Sequence, residues 1–106
     1  MLTIDAALLH LGYDVTDEAI IQNVTAELEG AKSYLQGAVG MDIFDLMPEE
    51  PRVDALLKAY LDDLHDDRGT QSAKFGHAKR DMIHSIEWQL RLELARKREE
   101  LEAVTT

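Results

Sequence analysis

Residues 80–103, RDMIHSIEWQLRLELARKREELEA, constrain the fold of this chain more than any other stretch. They include no Gly or Pro and are rich in strong helix formers, which predicts one long helix. At about 100° per residue, Ile83, Ile86, Leu90, Leu94 and Leu101 fall on one narrow stripe. Trp88, Leu92 and Ala95 fall on nearly the opposite side. A surface helix of a small monomer buries one stripe and wets the other. This helix has two apolar faces, and the second carries the chain's only Trp. Two arrangements satisfy that pattern. Either the helix is central and covered on both sides, or one face packs the core while Trp88, Leu92 and Ala95 meet a neighbouring subunit. Exposed apolar patches mark interfaces, and Trp is enriched at their hot spots.

With 106 residues there is room for one domain with one modest core, taken here as 1–106. Cys is absent, so disulfides, thiolate metal sites and a Cys nucleophile are excluded. No basic segment precedes an apolar run at the start, so no signal peptide is expected, and no apolar run approaches the length of a membrane span. The net charge is −10 and uneven: residues 1–51 hold ten acids and one base, Lys32, while residues 52–106 hold eleven acids and ten bases. Gripping nucleic-acid phosphates needs clustered Lys and Arg, and the only cluster, Arg96-Lys97-Arg98, is followed at once by Glu99, Glu100 and Glu102. Solvated acids that confer solubility are the simplest account of the rest.

Ahead of the long helix, three more are expected. Thr3 is placed to cap a short helix from Ile4 to about Leu11, ended by Gly12. Thr16 or Asp17 caps a second, in which Ile20, Ile21, Val24, Leu28, Ala31, Leu35 and Val39 form a clean apolar stripe. Its opposite face carries Glu18, Gln22, Thr25, Glu29, Ser33 and Gln36. Gly30 within it suggests a close helix crossing, and Gly37 and Gly40 are expected to stop it. Residues 41–50 form an apolar loop folding back on the core. Pro51 opens a third helix, striped by Val53, Leu56, Leu57, Tyr60, Leu61 and Leu64 and running to about Asp67. Residues 68–78 form a second loop. The fold expected is all-α, about four helices with two longer loops.

The most enzyme-like feature is Asp62-Asp63-Leu64-His65-Asp66-Asp67. Asp62 and Asp66 share a helix face, as do Asp63 and Asp67, and helical carboxylates so spaced can hold Mg²⁺. All-α nucleotide pyrophosphohydrolases work this way. Those sites use a Glu-Glu-x-x-Glu run and a second acidic pair on a facing helix, whereas here Glu49-Glu50 abuts Pro51 and Glu99-Glu100 lacks the third Glu at the right spacing; a solvated helix end is the plainer account. His10, His65, His77 and His84 form no pair at metal-binding helical spacing. There is no Gly-rich phosphate loop and no Gly-x-Ser-x-Gly elbow, so no enzyme and no cofactor is expected.

Several segments occur together in order: Leu2-Thr3-Ile4-Asp5 into a short helix, Thr16-Asp17-Glu18 into an Ile-rich helix ending Tyr34-Leu35 and a Gly, a Pro-led helix into Asp67-Arg68-Gly69-Thr70, and Gln89-Leu90-Arg91 in the closing helix. The set resembles the small head-tail connector proteins of tailed bacteriophages and prophages, a group named for a Gln-Leu-Arg-Gly motif and often labelled DNA-packaging proteins. The likeness covers most of residues 1–92. Leu92 stands where the motif has Gly, and the helix continues, which points to a helical C-terminal extension over 93–106. The resemblance implies a helical structural subunit in a homo-oligomeric ring of about twelve copies. The ring would sit at the head–tail junction of a virion made in the bacterial cytoplasm. Its partners would be the portal protein and tail-side completion proteins, with no membrane involved. DNA would pass through the centre without specific binding. Carboxylates repel phosphate, so Glu18, Gln22 and Glu29 are the expected channel lining, with Asp62–Asp67 as the alternative. The other readings are a small Mg²⁺-dependent nucleotide hydrolase using Asp62, Asp63, Asp66 and Asp67, and a generic helical dimerisation module.

Overall fold

The structure, a computed structural model, describes residues 1–14, 17–65 and 72–105. The fold is all-α. The elements are α1 (Ile4–His10), α2 (Glu18–Ala38), a single turn α3 (Ile43–Leu46), α4 (Pro51–His65) and α5 (Ser72–Thr105).

Local chemistry sets the boundaries. The Thr3 hydroxyl accepts the Ala6 amide at 3.2 Å and the Asp17 carboxylate accepts the Ala19 amide at 2.9 Å, so each satisfies an orphan donor of the helix it precedes. Thr16 lies outside the described residues. At the end of α1, Gly12 takes φ +88, and the amides of Gly12 and Tyr13 close back on the Leu9 and Leu8 carbonyls. This is the left-handed glycine cap expected there, and any Cβ would strain it.

Helices α1, α2 and α4 pack on one another, and α5 packs across α4 and the α3 turn. The shared core holds Ala7 and Leu8 of α1, Val24, Leu28, Ala31 and Leu35 of α2, Val53, Leu56, Leu57 and Leu61 of α4, and Ile83, Leu90 and Leu94 of α5. These are the stripes the sequence periodicity marks, except that Leu64 and Leu101 at their ends are exposed; Leu9 of α1 is exposed as well. Each lies where its helix turns away from, or outruns, the elements it packs on.

The expected loops are partly helical. Residues 72–78 belong to α5, which therefore begins eight residues before Arg80. Gly76 lies inside it; one glycine costs a helix about 1 kcal/mol, which the remaining strong formers offset. Within 41–50, the turn α3 buries Ile43, and Met47 just beyond it is buried too, so this loop does fold onto the core. Gly37 does not stop α2, which ends at Ala38 with Val39 as its C-cap.

The glycine that marks a close approach is Gly40, not Gly30. A Cβ at Gly40 would stand 2.6 Å from Leu94 and 2.5 Å from Arg98, whereas at Gly30 it would meet Leu64 at an ordinary 3.7 Å. Gly40 admits α5 beside the loop, where Arg98 holds Asp42 through two hydrogen bonds of 2.8 and 2.5 Å. One turn earlier, Arg52 joins Glu50 at 2.7 Å, Gln89 at 3.1 Å and Glu93 at 2.5 Å. These guanidinium contacts hold the Glu50 and Asp42 carboxyls below the usual carboxylate range.

Beyond Leu94, residues 95–103 are exposed throughout, with Arg98 among them reaching back to Asp42. At 1.5 Å per residue a 34-residue helix is about 51 Å long, and the longest dimension of the molecule is 51 Å.

Candidate assembly surface

Helices α2 and α5 both lean on α4 but diverge from each other, and a groove opens between them. Its floor begins with Tyr60 of α4. The Tyr60 ring meets Tyr34 of α2 edge-on, with centroids 4.7 Å apart and planes at 66°. Its hydroxyl donates to Glu87 Oε2 of α5 at 2.5 Å. Glu87 is the one buried charged residue among those described. Tyr60 supplies a donor where water is largely excluded, and without it that carboxylate would be costly to bury. Burial, and then the neighbouring Glu87 charge, push the Tyr60 phenol well above its usual pKa.

Two hollows lie along the groove. The larger, about 660 Å³, is walled by Tyr34, Gly37, Ala38, His84, Glu87, Trp88 and Arg91. The smaller, about 340 Å³, is walled by Gly30, Tyr34, Tyr60, Asp63, Leu64, Arg80, Ile83 and His84. Arg91 Nε donates to the Ala38 carbonyl at 2.5 Å. This satisfies an acceptor left over at the end of α2 and holds the two helices at a fixed separation there.

The three residues expected to meet a neighbour all face outward. Trp88 is 58% exposed and Leu92 52%, and Ala95 is exposed one turn on. The arrangement in which this chain's own core covers both faces of α5 is thus not the one adopted. Trp88 lines the groove together with Tyr34, itself 61% exposed, and Leu64. Leu92 and Ala95 extend the apolar face toward the C-terminal end of the helix.

Glu18, Gln22 and Glu29 are all exposed on the outer face of α2, and Glu29 lies 3.5 Å from Lys32. Asp62 and Asp63 serve different surroundings. Asp62 Oδ1 is 2.8 Å from His10 Nε2, and Asp63 borders the smaller hollow. Asp66 and Asp67 lie outside the described residues. Among the described residues, no three His, Asp or Glu side chains gather as a metal site would require, and no helix is long and apolar enough to cross a membrane.

Two histidines hold structural positions that spacing does not reveal. His10 reaches Asp62, and His65 sits between Glu27 Oε2 at 2.9 Å and the Tyr13 hydroxyl at 2.8 Å. With Nδ1–H donating to Glu27, the ring's Nε2 accepts the Tyr13 proton. His65 thus ties the end of α4 to α2 and to the segment after α1. His84 is on the groove wall, and the side chain of His77 is outside what is described.

Compared with known proteins, the chain matches no family model, and no curated protein and no solved structure matches it.

Proposed function

We propose that the protein is a structural subunit with no catalytic activity, a head-tail connector of a tailed phage or prophage that assembles as a ring through which DNA passes. The observation carrying this reading is the outward apolar face of α5, Trp88 and Leu92, continuous with a groove edged by Tyr34 and Leu64. A large aromatic and a leucine half-exposed beside a concave surface are what an assembly contact requires. A closed ring needs two unlike contact surfaces on each subunit. The ordered resemblance to small connector proteins supplies the rest, including the portal and tail-side proteins as partners. In this reading the exposed acids of α2, Glu18 and Glu29, face the channel and keep phosphate from sticking. The test is the mass of the purified protein by light scattering, with negative-stain images. A single large mass and ring-shaped particles are expected; a monomer at every concentration would refute the reading.

A further inference from the structure

We infer that the α2–α5 groove receives helix α1 of a second copy of this chain, with Leu9 as the apolar anchor and Asp5 facing Arg80 and Arg91. This rests on the ring reading and names the contact within it. The groove offers aromatic and aliphatic surface from Tyr34, Leu64 and Trp88. Along its α5 edge it carries Arg80, His84 and Arg91, spaced so that they share one helix face; of the two carboxylates that also line it, Glu87 is buried against the Tyr60 hydroxyl and Asp63 borders the smaller hollow. Arg52 and Arg98 hold carboxylates, while Arg80 and Arg91, like Arg96 further along the helix, form no ion pair among the described residues, and Arg91 Nε donates to the Ala38 carbonyl. In a chain with 21 acids and 11 Lys and Arg, two such arginines beside an exposed Trp define a surface suited to an acidic, apolar knob.

Helix α1 presents that knob. It buries Ala7 and Leu8 against its own subunit. On its outer side Leu9 is 77% exposed, more than any other large apolar residue described. Asp5 lies one turn before Leu9 on the same face, exposed and without an ion pair among the described residues. No residue belongs to both surfaces. One subunit can therefore insert its α1 into a neighbour while its own groove receives another, a head-to-tail contact that closes into a ring when the rotation allows.

The test uses two variants of the full chain, Leu9→Lys and Trp88→Glu, each placing a charge against its like in the proposed contact. Both positions are largely exposed, and circular dichroism checks that helical content is kept. Each variant alone should run at the mass of one subunit. Mixed in equal amounts they should associate, because one intact knob and one intact groove remain between them. A mixture that stays monomeric, or a Leu9→Lys variant that assembles like wild type, overturns the contact while a wild-type ring keeps the assembly reading. A wild type that is itself monomeric overturns both. Should Trp88→Glu fail to fold, Asp5→Arg and Arg80→Asp serve instead. Each alone should abolish assembly, and the two combined in one chain should restore it; failure of restoration with folding intact refutes the charge pairing.

Discussion

Helices α2 and α5 do the same work on their inner sides and opposite work on their outer sides. Both bury an apolar stripe against α4, through Leu28, Ala31 and Leu35 in α2 and Ile83, Leu90 and Leu94 in α5. Outside, α2 shows Glu18, Gln22, Thr25, Glu29 and Ser33 to solvent, the ordinary division of an amphipathic helix. The outer side of α5 shows Trp88, Leu92 and Ala95. Helix α2 leaves one large apolar side chain in water once the subunit folds, Tyr34 at the groove edge. Helix α5 still holds apolar surface in water, and a second subunit could bury it. Amphipathicity alone would rate α5 the poorer surface helix; the difference is informative because the same helix is anchored so firmly by Arg52, Arg98 and Glu87.

The comparison can be broken most sharply at the buried face of α5. Ile83→Asp should abolish the cooperative urea transition, because an unpaired buried charge costs several kcal/mol against a total of about 5–15. A well-folded Ile83→Asp subunit would mean that the inner face of α5 is not part of the core. Next in size is the link between the two faces. Tyr60→Phe leaves the Glu87 carboxylate short of a donor and should cost about 1–3 kcal/mol in urea unfolding. It should also flatten the alkaline arm of the stability curve. The folded-state pKa of Tyr60 is raised, so its contribution is whole below the free phenol's value near pH 10 and is lost as pH climbs above it. An alkaline arm identical in both proteins would show that Tyr60 does not govern it.

Gly40→Ala tests how closely the loop and α5 approach. Its methyl would meet Leu94, which cannot yield because it is fully buried, so a loss of about 1–3 kcal/mol is expected. Leu94→Ala in the same chain should recover part of the Gly40 effect, while independent, additive losses would place the methyl elsewhere. The smallest effect on stability belongs to the outer face of α2. Glu18→Lys with Glu29→Lys should leave the unfolding midpoint almost unchanged, since exposed charges contribute little. The assembled variant should nonetheless bind double-stranded DNA with an affinity falling steeply as salt rises, and wild type should bind none at physiological ionic strength. Tight binding by wild type would remove α2 as the lining of a repulsive channel.

Most of this fold is legible in the sequence because helical periodicity is a local property. The stripes of α2 and α4, the caps at Thr3 and Asp17, the stop at Gly12 and the second apolar face of α5 all follow from neighbours within a few turns. The start of α5 is not, because Arg68-Gly69-Thr70-Gln71-Ser72 and Gly76 look like a loop until the strong formers downstream are allowed to extend the helix back to Ser72. The groove is illegible for a different reason. Tyr34, Tyr60 and Glu87 come from three helices, and no spacing rule joins them. The same holds for His10 with Asp62, which are 52 positions apart. Leu9 is simply one of the apolar residues of α1 in the sequence, and only the packing of α1 on α2 and α4 turns it outward.

The central claim is that the outer face of α5 serves assembly rather than folding, and Leu92→Asp tests it most directly. Light scattering should give a large defined mass for wild type and the mass of one subunit for the variant. Circular dichroism should show the same helical content, and at dilutions where wild type is itself dissociated the unfolding free energies should agree within about 0.5 kcal/mol, the usual range for an exposed position. A Leu92→Asp protein that unfolds, or one that assembles as wild type does, would contradict the account.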